Sequence, residues 1–105
     1  MYKGENMTNI NDVLQERGSR YGSFSNHARI CQTLKAVINT NLISINKNLA
    51  PDQQQALDVI CDKIARMING DPDYLDNWVD IAGYAKLVAD RLESDSKVIK
   101  IKKKA

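Results

Sequence analysis

This 105-residue chain has two cysteines, one histidine, one tryptophan and one phenylalanine, and no long apolar run. Each scarcity excludes something. Cys31 and Cys61 lie thirty positions apart inside apolar helical patterns. They fit small buried thiols in a reducing cytosol, and neither a disulfide framework nor a zinc knuckle. No apolar run approaches the roughly 18 residues of a membrane-spanning helix. The N-terminus has no signal-peptide stretch either, so export is not expected. His27 has no serine or cysteine partner at a suggestive position, which leaves a catalytic triad without support; it reads as a solvated residue at a helix start. One tryptophan and one phenylalanine imply a modest core. No segment alternates convincingly as a strand, and no internal repeat is present.

What is there is the composition of one small globular domain, 43% hydrophobic and 27% charged. The net charge of +2 is unevenly spread. Residues 94–105 hold five lysines against one aspartate, while the other 93 residues carry ten basic and twelve acidic groups. The organisation expected is a flexible N-terminus over 1–7, a helical domain over 8–93 and a lysine-rich tail over 94–105. No basic face with interleaved aromatics accompanies the tail, so nucleic-acid binding is not expected.

The apolar spacing predicts an all-α bundle of about four helices. A short first helix carries Ile10, Val13 and Leu14, with Gly18 as its stop. The following GSRYGSFS stretch reads as a loop, and Ser25 as the cap of a second helix bearing Ala28, Cys31, Leu34, Val37 and Ile38. That helix is expected to loosen in NTNLISINKN. Pro51 opens a third helix whose stripe of Leu57, Ile60, Cys61, Ile64, Met67 and Ile68 ends at Asn69-Gly70. A fourth follows Asp71-Pro72, with Leu75, Trp78, Ile81, Ala82, Ala85, Val88 and Leu92 as its expected buried side. The long apolar faces of the third and fourth helices exceed what one chain covers, so a homo-oligomer is expected.

Candidate chemistry lies in charges and rings. Lys63 and Arg66 stand three apart on one helix. They suit either a grip on phosphate or an interhelical ion pair, for example of Arg66 with Asp76 or Asp80. Arg17, Arg20 and Tyr21 add two cations and a ring able to stack on a base. Gly83 suggests close approach of a helix or ligand, with Tyr84 lining the same place. Asp58 with Asp62, and Asp76 with Asp80, are i, i+4 pairs on successive helices, an arrangement from which bundles build magnesium sites.

The pattern Arg17-x-x-Arg20-Tyr21-Gly22-x-Phe24, then Ala56-Leu57-x-x-Ile60-x-x-Lys63-x-x-Arg66, then Asp76-x-Trp78-x-Asp80-Ile81-Ala82-Gly83-Tyr84 resembles a small domain of unknown function from tailed phages and prophages. The resemblance covers about residues 15 to 90 and implies an accessory protein in a bacterial cytoplasm. The chain is also distantly similar to the MazG-like nucleotide pyrophosphohydrolases, which hold magnesium with an ExxE pair and an ExxD pair. The second pair maps onto Asn77-x-x-Asp80, where Asp80 matches; the first falls around Asp58 and Cys61 or Asp62.

Three functions are compatible with these residues. The first is sequestration of a nucleotide or cyclic nucleotide, as counter-defence, by Arg17, Arg20, Tyr21, Lys63, Arg66, Trp78 and Tyr84. The second is MazG-like pyrophosphohydrolysis, with magnesium on Asp76 and Asp80. The third is inhibition of a host protein.

Overall fold

Four helices account for nearly all of the chain: α1 (Tyr2–Tyr21), α2 (Phe24–Ser44), α3 (Pro51–Asn69) and α4 (Leu75–Lys104). They are seen in a computed structural model that describes the backbone of residues 2–104 and the side chains of residues 9–18 and 21–100. The molecule is an all-helical four-helix bundle arranged around α3, which packs against each of the other three. Among the described residues α2 and α4 do not pack against one another, so the bundle is open along one side.

α3 owes its place to its sequence. Pro51 occupies the first turn, the Ala50 N–H donates to Gln53 Oε1 at 2.9 Å, and Asp52 puts a negative charge at the positive end of the helix dipole. Its buried positions are Ala56, Cys61, Ala65 and Met67, most of them small. Cys61 and Ala65 meet Cys31 of α2, with Ile30, Leu34 and Ile38 packed around them. Small side chains at the crossing let the two helices approach closely. Burial pushes both thiols above the ordinary cysteine range, so they stay protonated at neutral pH.

Several boundaries differ from the sequence expectation. Gly18 does not end α1; the helix continues through Tyr21 and stops at Gly22, which has φ +78° and whose N–H donates to the Gly18 carbonyl at 2.9 Å. A glycine inside a helix costs only about 1 kcal/mol, whereas the left-handed conformation at Gly22 is an outright stop. The expected loop therefore shrinks to Gly22-Ser23. The α2 cap is Ser23, not Ser25, its hydroxyl accepting from the Asn26 N–H at 3.3 Å. α2 also stays helical through most of the asparagine-rich stretch, with Asn41 Nδ2 donating to the Val37 carbonyl at 2.7 Å, until Asn46 turns left-handed at φ 53°.

The largest difference is the rotation of α4. Leu75, Trp78, Ala82, Ala85 and Leu92, expected inside, are exposed, while Asn77 is buried and Ile81 and Val88 are half-buried. Two ion pairs accompany this rotation at either end of the α3–α4 contact. Lys63 Nζ lies 3.0 Å from Asp80 Oδ2, and Arg91 grips Asp52 with Nε–Oδ2 at 2.9 Å and Nη2–Oδ1 at 2.7 Å. Nothing lies within 4 Å of a Cβ built on Gly83, so no other helix of this chain packs closely against it. From Arg91 onward the helix carries its own i, i+4 acid–base pairs, Arg91 with Asp95 and Glu93 with Lys97.

The Arg91 clamp makes stability depend on acid. The hydrogen bonds from its guanidinium hold the Asp52 carboxyl below the usual carboxylate range. A carboxyl depressed on folding contributes stability above its unfolded value of about 3.9, and that contribution disappears as pH falls through the lower folded value. Thermal unfolding followed by circular dichroism should show Tm falling as the pH drops below about 4, and falling less in Asp52→Asn.

Candidate functional site

The junction of α1, α2 and α3 is tied by one side chain. Asn69, at the end of α3, donates through Nδ2 to the carbonyls of Tyr21 and Ser23, both at 2.8 Å, and its Oδ1 accepts from Asn26 Nδ2. The Asn69 carbonyl sits so close to Gly22 that a Cβ there would lie 2.2 Å from it. Glycine is thus required at position 22 twice, for its backbone angle and for its missing side chain.

This turn forms one wall of a cleft of about 380 Å³, with Leu14 and Arg17 on α1, Phe24 and His27 on α2, and Asp62 and Arg66 on α3. A chain of polar contacts runs along it. His27 Nε2 donates to Asp62 Oδ1 at 2.9 Å, because a carboxylate only accepts. The other oxygen of Asp62 pairs with Arg66 Nε at 3.2 Å. The Arg66 guanidinium lies 4.9 Å from the centre of the Tyr21 ring, a cation–π distance. Tyr21 in turn meets Tyr74 edge-on at 6.2 Å, and the Tyr74 hydroxyl donates to Asp76 Oδ2 at 2.9 Å. Phe24 stacks on the His27 ring at 6.1 Å and is otherwise 81% exposed. Among the described residues, no ion pair or hydrogen bond engages the Arg17 side chain.

Of the residues singled out from sequence, Arg17, Tyr21 and Arg66 come together in this cleft. The Arg20 side chain lies outside the described residues. Lys63 points to Asp80 and does not line the cleft; it is Lys63, not Arg66, that makes the interhelical ion pair. Trp78 lines a separate groove between α3 and α4, its indole Nε1 donating to the Pro72 carbonyl at 2.8 Å. Tyr84 is exposed on α4 and lines neither cavity.

The four aspartates have separate engagements: Asp58 with Gln54, Asp62 with His27 and Arg66, Asp76 with Tyr74, and Asp80 with Lys63. Among the described residues no group of three or more histidine, cysteine or acidic side chains is placed to hold a metal. Asn77, between Asp76 and Asp80 in the chain, is 2% exposed with Nδ2 unpartnered.

Two participants escaped the sequence reading. His27, expected to be solvated, is buried, because it lies one helical turn before Cys31 on the packed face of α2. That i, i+4 relation was the available signal. Asn69 was visible only as a helix-stop residue, with nothing to show which carbonyls its amide would reach.

A family model matches residues 7–92, most of the chain and all of both cavities. The chain belongs to this family, a domain of unknown function (DUF6378). The DUF6378 match ends at Leu92, so the lysine-rich end of α4 lies beyond it. No curated protein and no solved structure matches the chain.

Proposed function

We propose that this DUF6378 protein binds a phosphate-bearing nucleotide or cyclic nucleotide in the α1–α2–α3 cleft and sequesters it without hydrolysis. It would act as a phage-type counter-defence protein in the bacterial cytoplasm, and as a homo-oligomer. The observation that carries the proposal is the cleft itself, which pairs two arginines with an exposed aromatic ring. Arg17 is unpaired among the described residues, and Arg66 is oriented by Asp62 and Tyr21. Guanidinium forks match phosphate oxygens. Asp62 offsets one of the two arginines, so these three side chains sum to one positive charge, which suits a single phosphate group better than a triphosphate. Phe24 offers a face for a base, while Tyr21 is engaged with Arg66 and Tyr74. The buried Nδ1 of His27, on the cleft wall and without a hydrogen-bond partner among the described residues, is a further polar atom for a ligand to satisfy.

Calorimetric titration with AMP, cyclic AMP and a cyclic dinucleotide tests this. Charge-assisted hydrogen bonds of about 1.5–3 kcal/mol imply at least tenfold weaker binding in Arg17→Ala and Arg66→Ala. Lys63→Ala should leave affinity unchanged, since Lys63 lies outside the cleft. Equal affinity in all three folded variants, or no binding by the wild type, would overturn the proposal. Pyrophosphate release from a triphosphate with magnesium would replace it with a hydrolase.

A further inference from the structure

We infer that the apolar groove between α3 and α4 is the docking surface for a second copy of this chain. The inference rests on the self-association included above and is independent of nucleotide binding. The groove has a volume of about 780 Å³ and is walled by Ile64, Ile68, Trp78 and Ile81, with Gly70 and Pro72 at one end. Among the described residues no charged side chain lines it. Ile68 is 66% exposed and Trp78 53% exposed. Because the Trp78 N–H is already satisfied by the Pro72 carbonyl, covering the indole would strand no donor.

The extent of exposed surface points the same way. A compact monomer of 11.8 kDa has an accessible surface of about 5,900 Å²; this chain presents 8058 Å². Its radius of gyration is 19.0 Å, against about 13 Å for a compact domain of this length. Part of the excess of roughly 2,100 Å² belongs to the charged end of α4. Even half of it exceeds the ~800 Å² per partner of a standard protein interface.

The occupant is a second copy because the chain needs cover in order to be stable. Among the described residues the buried apolar side chains are Cys31, Ala56, Cys61, Ala65 and Met67, with no buried leucine, isoleucine or aromatic ring. A core so small leaves little margin over conformational entropy. A second copy is the one partner whose presence is guaranteed wherever the chain is made. Each copy also carries exposed Ile10 and Val13 on α1, a second apolar face for a two-fold pair to cover.

Sedimentation velocity on the full chain, with iodide quenching of Trp78 as the single tryptophan reporter, tests the inference. The expected result is twice 11.8 kDa, with Trp78 protected from iodide in the dimer and exposed on dilution. Ile68→Glu, placed on an exposed position, should keep its helical circular dichroism and raise the dissociation constant about 100-fold. A wild type that stays monomeric would overturn self-association altogether. A dimer with freely quenched Trp78 would overturn this surface while leaving self-association standing, and so would one undisturbed by Ile68→Glu. The wild-type quenching decides the matter even where the variant fails to fold. Nucleotide titration of the same samples reports the ligand proposal separately.

Discussion

Gly22→Ala is expected to destabilise the protein by at least about 2 kcal/mol, measured by urea unfolding followed through helical circular dichroism. A left-handed backbone costs an alanine roughly 1–2 kcal/mol. The new methyl would also stand 2.2 Å from the Asn69 carbonyl and 2.7 Å from its amide nitrogen, which is no contact a side chain tolerates. Relief requires moving α1 and α2 away from the end of α3, and that breaks the two hydrogen bonds from Asn69 to the turn. Gly18→Ala is the control. Gly18 lies within α1 with nothing near its would-be Cβ, so alanine there should be neutral or stabilising by up to about 1 kcal/mol. Equal effects at the two positions would show that the turn is not held as described.

The second large effect is expected at Asp62, which serves two cleft residues at once. Asp62→Ala removes the partner of His27 Nε2, leaving the buried imidazole with neither nitrogen bonded, and frees Arg66 Nε. An orphaned buried polar group costs about 1–3 kcal/mol, and urea unfolding should show a loss in that range. Asp62→Asn separates geometry from charge. Its amide oxygen still accepts from His27, so most of the stability should remain. The cleft meanwhile gains one unit of positive charge, and its affinity for AMP should rise several-fold at low ionic strength. An Asp62→Ala protein as stable as the wild type would refute the shared role of this carboxylate.

Much of the fold was legible because helix formation is local. The third helix could be read almost to the residue, since Pro51 and Asn69-Gly70 punctuate a clear stripe and their effects act within one turn. The cleft was partly legible: Arg17, Tyr21 and Arg66 drew notice as cations and a ring, and they do converge. Lys63 was placed with them only by its spacing from Arg66. On a helix, residues three apart still differ by about 60° in direction, enough for one to face the cleft and the other α4.

By itself, the sequence determined the helical class, the α3 boundaries and the absence from the described helices of any span long and apolar enough to cross a membrane. Local rules of period and capping suffice for these. Only the tertiary structure decided which faces meet. α4 has apolar residues around most of its circumference, so its periodicity leaves its rotation undetermined. In the folded chain it turns Asn77, Asp80 and Arg91 toward α3 and leaves Trp78 facing out. Likewise the stop at Gly22 depends on Asn69, forty-seven positions further along the chain, and no local rule carries a constraint across that distance.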